Sequence, residues 1–428
     1  MTEHKSTLER YLDSGAVEPK THLHPRLSER LGFDADAPHF VRAEGSSLYT
    51  AGGDRYVDFV AGSGVHWLGR NQPEMRRALR EVAEMDLPNL CIVNASILGG
   101  LVAEKLLGLA GGTMGKIIYA NSGTEATDVV IRFARFVTRK RRFLFHEGAF
   151  HGRSFGAVSV AGFPELKEGM DPLLPTVTMI RPNDLAQLRK ELKQGDVAGV
   201  LFEPVQRVTG RVIDRGYLRE AEILCKQHGA ILIADETETG LGRTGHWFAT
   251  TGTGLRPDMM TIAGALSGGE VPVSAVLMTN EVYENVYAKL TSGPIYFSTF
   301  AENNLAMTSA LVTMESLEAI DAPALAAASG ALLRERLESV RQDHPTVERI
   351  DGKGLLVLVH FLVEDAADPT GVARDVAARL FRDHHYLTQL PGVGVNAIKL
   401  LPPVTTSEED LLGFADALDA VLTARSAS

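Results

Sequence analysis

The sequence predicts an α/β protein built on a mainly parallel sheet with helices on both faces. Two patterns predict it: short, continuous apolar runs recur through the middle of the chain, and amphipathic stretches such as 125–137 and 218–228 separate them. Length is the third observation, because 428 residues exceed the size at which a single hydrophobic core stops growing. We therefore expect one large α/β domain and a second, smaller lobe.

The expected elements follow in chain order. The segment HFVRAEGSSLYTAGGDRYVDFVAG predicts a meander with a turn at Gly52-Gly53. A long helical pattern at 322–341 opens the C-terminal part, which then alternates strands and helices. We expect both ends, 1–67 and 318–428, to form a smaller α+β domain beside a large domain at 68–317. The predicted strands of the large domain are 116–120, 143–146, 176–180, 198–202, 230–234, 259–262 and 274–278.

Composition narrows the classes of function. A formal net charge of −11 argues against nucleic acid or an anionic membrane as a partner. Two cysteines, Cys91 and Cys225, are too few for a disulfide framework or a cysteine metal cluster, and no metal site is expected. The first residues lack the apolar stretch of a signal peptide, and no apolar run of roughly eighteen residues follows. We expect a cytoplasmic protein.

Two glycine-rich stretches fit nucleotide-binding patterns only in part. GLGRTG at 240–245 matches G-x-G-x-x-G, but DETET separates it from the preceding strand and no helix opens directly after it. GGTMGK at 111–116 has the wrong spacing for a phosphate loop and precedes a strand. We interpret both as turns.

The stretch ANSGTEATDVVIRFAR is a stronger indication of a ligand. A predicted strand ends at Ala120, the small residues Ser122, Gly123 and Thr124 follow, and a helix begins. Free N–H groups at a helix N-terminus, together with two hydroxyls, form a cradle suited to a phosphate. The alternative is a simple helix cap with Glu125 in the first turn. The sequence alone favours neither.

Two further signals follow other predicted strands. Phe150, in FHGR, places an aromatic ring where it can stack on a flat ligand, although a core phenylalanine is the alternative. Asp235 ends an apolar strand, where an isolated carboxylate is costly unless a cation meets it. A protonated pyridine nitrogen is such a cation, and a structural salt bridge is the alternative. Phosphate cradle, stacking ring and carboxylate together suit pyridoxal phosphate, at the strand ends where α/β proteins bind ligands.

Along nearly its whole length the chain resembles the class III aminotransferases, a fold-type I group that includes ornithine, 4-aminobutyrate and ω-amino acid transaminases and glutamate-1-semialdehyde aminomutase. The motifs that carry the resemblance are NSGTEA, FHGR, EPVQ, DE..TGLGRTG and STF..N, supported by YVDFVAGSGVHWLGR and NAIKLLPPVTTSEED. It implies a fold-type I transferase fold with a mainly parallel seven-stranded sheet. It also implies a homodimer with shared active sites, acting on a small amine or amino acid.

The resemblance also implies roles for individual residues. Ser122, Gly123 and Thr124 hold the phosphate, Phe150 stacks on the ring and Asp235 holds the pyridine nitrogen. Thr299 reaches the phosphate of the neighbouring subunit. The cofactor is pyridoxal 5′-phosphate or pyridoxamine 5′-phosphate, held noncovalently or as a substrate aldimine. The same motifs add four residues to the expected cofactor contacts: His151, Glu203, Thr237 and Glu238.

One central residue of the family pattern is missing. Family members carry a passage like A-K-A-L-S-G-G, whose lysine forms the Schiff base and moves the substrate proton. Here AGALSGG puts Gly264 in that position, and no lysine occurs between Lys226 and Lys289. Glycine can neither bind the cofactor covalently nor transfer a proton. We therefore expect ordinary transamination to be severely impaired.

The substrate side departs from the pattern as well. Glu238 replaces a glutamine that faces the cofactor's phenolic oxygen, and as an acceptor it would repel a phenolate unless one of the pair is protonated. Val208 replaces a glutamate and Lys399 replaces the arginine that pairs with it and binds substrate carboxylate. Trp67 and Lys399 are the expected substrate contacts. His66 and Glu238 are candidate surrogate bases, against the alternatives of a surface or core histidine and a neutral, structural glutamate.

Three functions compete on these observations. The first, which we favour, is an enzyme that uses the cofactor by non-standard chemistry without the lysine. The second is a non-catalytic homologue that binds cofactor or metabolite, or serves as a regulatory or partner subunit. The third is an ordinary aminotransferase whose lysine was changed to Gly264. The correlated changes at Glu238, Val208 and Lys399 favour natural divergence over a single engineered substitution.

Overall fold

The structure, a computed structural model, describes residues 38–90, 96–291 and 293–427. It opens with the predicted meander, in which two antiparallel pairings join three strands and the second hairpin turns at Gly52-Gly53. Residues 1–37 and Cys91 lie outside the described residues. The meander strands are β1 (Phe40–Glu44), β2 (Ser47–Thr50) and β3 (Arg55–Asp58).

A seven-stranded sheet forms the centre of the molecule, in the order β4-β10-β9-β8-β7-β5-β6. Its strands are β4 (Lys116–Ala120), β5 (Arg142–His146), β6 (Val177–Ile180), β7 (Val197–Phe202), β8 (Ile231–Asp235), β9 (Met259–Ile262) and β10 (Ser274–Met278). Six of its strands run in one direction, and β10 runs opposite to them, between β4 and β9. The predicted α/β fold with a mainly parallel seven-stranded sheet is confirmed.

Helices fill the connections of this sheet, and their first residues explain where they begin. Ser122, Asp214 and Thr279 each accept a hydrogen bond from the backbone N–H three residues on, which satisfies a donor that the helix itself leaves free. The helices up to this point are α1 (Pro73–Glu84), α2 (Ile97–Leu109), α3 (Gly123–Thr138), α4 (Phe155–Ser159), α5 (Leu185–Leu192), α6 (Arg215–His228), α7 (Ala249–Thr253) and α8 (Asn280–Tyr287); single turns lie at Ala61–Gly64, Pro164–Leu166 and Gly264–Ser267.

The C-terminal part begins with two long helices, the second of which confirms the helical pattern at 322–341. A three-stranded antiparallel sheet follows, in the order β11-β12-β14. The elements are α9 (Asn304–Ala319), α10 (Ala322–Asp343), β11 (Val347–Lys353), β12 (Leu356–Phe361), α11 (Gly371–His384), β13 (Tyr386–Leu387), β14 (Ala397–Leu400) and α12 (Glu408–Ser426).

The two ends of the chain meet in one sheet. Strand β13 pairs in parallel with β3, and Arg55 forms an ion pair of 2.7 Å with Asp410 at the start of α12. These contacts are those expected of a lobe made from both ends, while the boundaries after residues 67 and 317 stay predictions.

Three general features complete the description. No single described helix is both long and apolar enough to cross a membrane; the bent pair α9–α10 passes that test by length and composition alone. Cys225 is free and buried on α6. Within the described ranges, no group of three or more histidine, cysteine, aspartate or glutamate residues could hold a metal ion.

Candidate active site

Asp235 stands at the carboxyl end of β8, in the middle of the central sheet, and is buried. One of its carboxylate oxygens lies 2.6 Å from Nδ1 of His151. The other accepts hydrogen bonds from the backbone N–H of Thr237 and the hydroxyl of Thr261, both at 3.0 Å. Burial opposes ionisation of Asp235, but His151 and Thr237 outweigh it and hold the pKa of this carboxyl below its usual range.

This pairing corrects one expectation. Asp235 is not an unpaired carboxylate that needs a ligand cation, because three donors of its own chain already satisfy it. The presence of a buried aspartate at position 235 is therefore not, by itself, an argument for a bound cofactor. A carboxylate has about four acceptor positions, so the oxygen that faces His151 has room for one more donor. The opposite nitrogen of His151, Nε2, is buried and has no hydrogen-bond partner among the described residues.

The expected phosphate cradle lies at the start of α3, and its hydroxyls are already engaged. Ser122 caps the helix by accepting from the N–H of Glu125 at 3.3 Å. The hydroxyl of Thr124 donates to Ser154 and accepts from the N–H groups of Arg153 and Ser154. The first helical turn leaves its backbone N–H groups without partners inside the helix. The cradle thus offers backbone donors, and the helix-cap alternative also holds.

Phe150, half-buried just after β5, connects this region to the next loop. Its backbone N–H donates to Glu203 at 2.9 Å, and the other oxygen of that carboxylate accepts from the N–H of Arg207 at 3.0 Å. Burial raises the pKa of Glu203 to about 7. The guanidinium groups of Arg207 and Arg153 lie 5.2 Å and 5.5 Å from the centre of the Phe150 ring. Glu203 therefore positions two loops and is engaged within the chain.

Glu238 is the centre of a buried charge cluster. Its carboxylate pairs with Arg207 at 2.7 Å and with the ammonium of Lys399, which is itself 3% exposed on β14. Burial opposes ionisation of Glu238, but Arg207 and Lys399 hold its pKa below the usual range. The two ion pairs favour an ionised Glu238 over the neutral form of the alternative, while a structural role agrees with this pairing. The two cations also compensate its charge, which reduces the expected repulsion of a phenolate.

A third cation, Arg243, lies behind this cluster in the GLGRTG turn. It is 1% exposed, donates to the carbonyl of Gly64 at 2.5 Å and lies 4.2 Å from the ring of Trp67. Burial lowers the pKa of Arg243 to about 10, with Glu238 opposing. Trp67 is fully buried in the core and donates its indole N–H to Leu241, so this placement gives no support to its expected contact with substrate.

His66 borders the turn that contains Gly264. Its ring fills the space between Gly62 and Gly269, where any side chain at 269 would collide with it. Burial lowers the pKa of His66 to about 4, and Arg70 acts in the same direction. The imidazole is neutral at physiological pH and a weak proton acceptor there.

Gly264 begins the turn after β9 in a left-handed conformation, with φ of +59°. The Cβ atom of any side chain at position 264 would lie 3.2 Å from the carbonyl oxygen of Thr237, the residue that precedes Glu238. The methyl carbon of Thr237 lies close to the cradle, at 3.3 Å from the place that a Cβ atom on Gly123 would occupy. Position 264 thus adjoins Thr237, which also adjoins the cradle at Gly123.

Thr299 lies away from these groups, on the wall of a groove of about 750 Å³. The groove is lined by apolar and aromatic side chains that include Ile97 and Phe297, both largely exposed. The adjoining Ser298 accepts a hydrogen bond of 2.6 Å from Asn121, directly before the cradle. The segment that bears Thr299 is therefore attached to the cradle while Thr299 itself faces outward.

Solved structures share this fold over almost the whole chain. An ornithine aminotransferase from Toxoplasma gondii superimposes with a TM-score of 0.86 at 23% identity, covering 99% of this chain and all of that one. An amine transaminase from an uncultivated Pseudomonas species, in its PLP-bound form, gives 0.82 at 24% identity over 95% and 98% of the two chains. At these identities the likeness is one of fold.

Sequence comparison identifies the family. The model of aminotransferase class III matches residues 34–422. The chain belongs to the class III aminotransferase family. It is 33% identical to the acetylornithine aminotransferase of Mycolicibacterium smegmatis over 89% of this chain and 93% of that protein. It is 32% identical to the aminotransferase PigE of a Serratia species, over 85% of this chain but only 43% of PigE. Class III aminotransferases bind pyridoxal or pyridoxamine phosphate.

Sequence reasoning missed two members of the charge cluster of this class III protein. Arg207 stands where the family passage E-P-V-Q-G-E-G-G has a glycine, and a charge in a glycine position was the available signal. Arg243 was set aside with its turn, although a buried arginine requires a partner. The pairing of Lys399 with Glu238 also went unseen, because the two residues are 161 positions apart along the chain.

Proposed function

We propose that this chain is a class III aminotransferase-like enzyme that binds pyridoxal or pyridoxamine phosphate without a lysine bond. It acts on a small molecule that carries an amino group, by chemistry that does not use the family's Schiff-base lysine. Gly264 occupies the position of that lysine. The observation that carries the proposal is the placement of Gly264 against Thr237, next to the cradle, together with the absence of lysine from 227–288.

The cofactor side supports binding of such a group. Ser122, Gly123 and Thr124 would receive the phosphate on the free N–H groups of α3, whose dipole favours an anion. Asp235 is ionised and has one acceptor position left for a pyridine N–H, and Phe150 presents a half-buried ring nearby. His151 and Thr237 hold the carboxylate in place. When bound, the cofactor supplies an electron sink for the pair released at the substrate's α-carbon.

The substrate side supports an anionic amine or amino acid. Arg207 and Lys399 both pair with the carboxylate of Glu238, and the charge of Arg243 also acts on it. Cations gathered at one place would attract a substrate carboxylate. The changed residues at 208 and 399 argue against a standard glutamate and 2-oxoglutarate pair.

We further propose that two copies of the chain associate through the groove that bears Thr299, with Thr299 reaching the phosphate of the neighbouring copy. Support comes from the outward position of Thr299, its apolar surroundings and the attachment of Ser298 to the cradle region. Sedimentation of the purified protein tests this, and a monomer at micromolar concentration would contradict it.

The absorption spectrum of freshly purified protein, with mass analysis of what acid releases, tests the cofactor proposal. We expect bound pyridoxal or pyridoxamine phosphate that borohydride does not fix to the chain. Conversion between the two forms on adding an amine and a 2-oxo acid would establish turnover. A cofactor fixed to the chain by borohydride would contradict noncovalent binding.

A non-catalytic role is the second candidate, and the internal pairing of Asp235 is the observation that favours it. A carboxylate satisfied by His151, Thr237 and Thr261 needs no cofactor for stability. Protein that stays colourless and takes up no added cofactor would establish this alternative over the enzyme.

A further inference from the structure

Lys399 is an unusual lysine. It lies in the middle of β14 with its side chain almost fully enclosed, and lysine is seldom buried unless paired. Its partner is Glu238, on the loop that leaves the central sheet. A lysine that only stabilised the fold here would do so poorly, because enclosing an ammonium costs several kcal/mol.

The position of its ammonium relates it to the expected cofactor site. The ammonium of Lys399 contacts the carboxylate of Glu238, and that carboxylate also pairs with Arg207 at 2.7 Å. The guanidinium of Arg207 in turn lies 5.2 Å from the centre of the Phe150 ring. The amine of Lys399 is therefore connected through Glu238 and Arg207 to the ring that is expected to stack on the cofactor.

We propose that Lys399 is the catalytic base that moves the substrate's proton in place of the absent lysine at position 264. This inference rests on the proposed function. With the cofactor bound, the neutral amine of Lys399 would take the proton from the substrate's α-carbon, and the cofactor would supply the electron sink for the pair of the broken C–H bond. The resulting ammonium would return the same proton to the C4′ carbon of the cofactor, which would leave Lys399 neutral for the next cycle.

The surroundings of Lys399 set it up for this exchange. Burial lowers the pKa of Lys399 to about 8; Arg207 acts in the same direction, while Glu238 and Glu203 oppose it. A base works best when its pKa is close to the working pH, because it must both accept and return the proton. His66, at about 4, accepts poorly, and the carboxylate of Glu238 is held ionised by two cations.

The competing role for Lys399 is to hold a substrate carboxylate. The two roles respond in opposite ways to arginine, which grips a carboxylate with two parallel hydrogen bonds but does not lose its proton near neutral pH. Lys399→Arg keeps a positive charge opposite Glu238 and removes the capacity to act as a base near neutral pH.

The test uses pyridoxamine phosphate as the probe, since its C4′ hydrogen exchanges without any other substrate. Wild type, Lys399→Arg and the exposed-site control Lys193→Arg are loaded with it in deuterium oxide, and acid-released cofactor is weighed by mass spectrometry. We expect wild type and Lys193→Arg to exchange alike, with a rate that rises with pH around 8. We expect Lys399→Arg to bind the probe and exchange roughly 10²–10⁴-fold more slowly.

A second readout needs no cofactor. In protein labelled with ¹³C at lysine Cε, the resonance that disappears in Lys399→Arg belongs to Lys399, and we expect it to titrate near pH 8. Exchange by Lys399→Arg at the wild-type rate, or titration near the ordinary 10.5, would overturn the inference while leaving cofactor binding established. Failure of wild type to bind the probe would instead overturn the proposed function, and the inference with it.

Discussion

The two sides of the candidate site are built on opposite electrostatic principles. On the cofactor side, Asp235 is one carboxylate with three donors, and Ser122 and Thr124 satisfy local backbone groups. On the substrate side, the carboxylate of Glu238 pairs with two cations, Arg207 and Lys399, and the charge of Arg243 also acts on it. The first arrangement satisfies a buried carboxylate mainly with hydrogen bonds, whereas the second satisfies one with buried opposite charges. A buried group of charges is the more sensitive of the two to the loss of one member.

Glu238→Gln should have the largest effect on stability, because it removes the carboxylate at the centre of the charge cluster. It leaves Arg207 and Lys399 facing each other without a carboxylate, and removing one partner of a buried pair costs about 3–5 kcal/mol. Glu238 raises the pKa of Lys399, so that pKa should fall below 8 in the variant. Urea unfolding at pH 7 measures the difference in free energy of unfolding between wild type and Glu238→Gln. That difference should be smaller at pH 9, because Lys399 is mostly neutral there.

The matched control for that variant is Glu348→Gln. Glu348 pairs with Arg349 at the surface, with its side chain 46% exposed, and exposed pairs contribute about 0–1 kcal/mol. Equal losses in the two variants would show that the cluster around Glu238 is not buried as described.

The pH dependence of stability is the next largest expected effect. The pKa of Lys399 is about 8 in the folded chain and near 10.5 when exposed. Between those values the unfolded chain binds a proton that the folded chain does not, so the free energy of unfolding rises with pH. The rise should reach about 3 kcal/mol and be absent from Lys399→Arg. Parallel curves for the two proteins from pH 8 to 10.5 would contradict the lowered pKa.

Gly264→Lys tests whether a restored lysine is enough to make the site an ordinary one. The left-handed backbone at 264 costs a lysine about 1–2 kcal/mol, which thermal unfolding would register. We expect the variant to hold the cofactor through a bond that borohydride fixes at position 264. We do not expect ordinary amine and 2-oxo acid exchange, because the substrate side has changed. Exchange at once would mean that Gly264 is an engineered replacement of an otherwise ordinary site.

Ser122→Ala should have the smallest effect. The hydroxyl of Ser122 caps α3, so its removal should cost about 1 kcal/mol of stability. Affinity for pyridoxamine phosphate should fall by less than about tenfold, because backbone N–H groups remain to receive the phosphate. A larger loss, measured by fluorescence titration, would mean that the hydroxyl leaves the cap to bind the ligand.

The sequence predicted the strands of the central sheet well because continuous apolar runs are local signals. The reversal of β10 was missed, although the connection at 263–273 is too short for the crossover that a parallel pair requires. In the site, local motifs identified the cradle, Phe150 and Asp235. The ionisation of these carboxyl groups depends on partners from distant segments. His151 contacts Asp235 and Lys399 contacts Glu238, and spacing along the chain carries no information about either contact.

The pairing of β3 with β13 has a consequence for biosynthesis. Asp58, at the end of β3, leaves the ribosome roughly 330 residues before Tyr386 begins β13, a delay of roughly 15–65 s at usual translation rates. Until then the meander carries a strand edge whose backbone groups have no partner, which is a template for association with other nascent chains. The sheet that contains the meander is therefore begun early in synthesis and completed only after Leu387, and the yield of this protein should depend on how that edge is protected meanwhile.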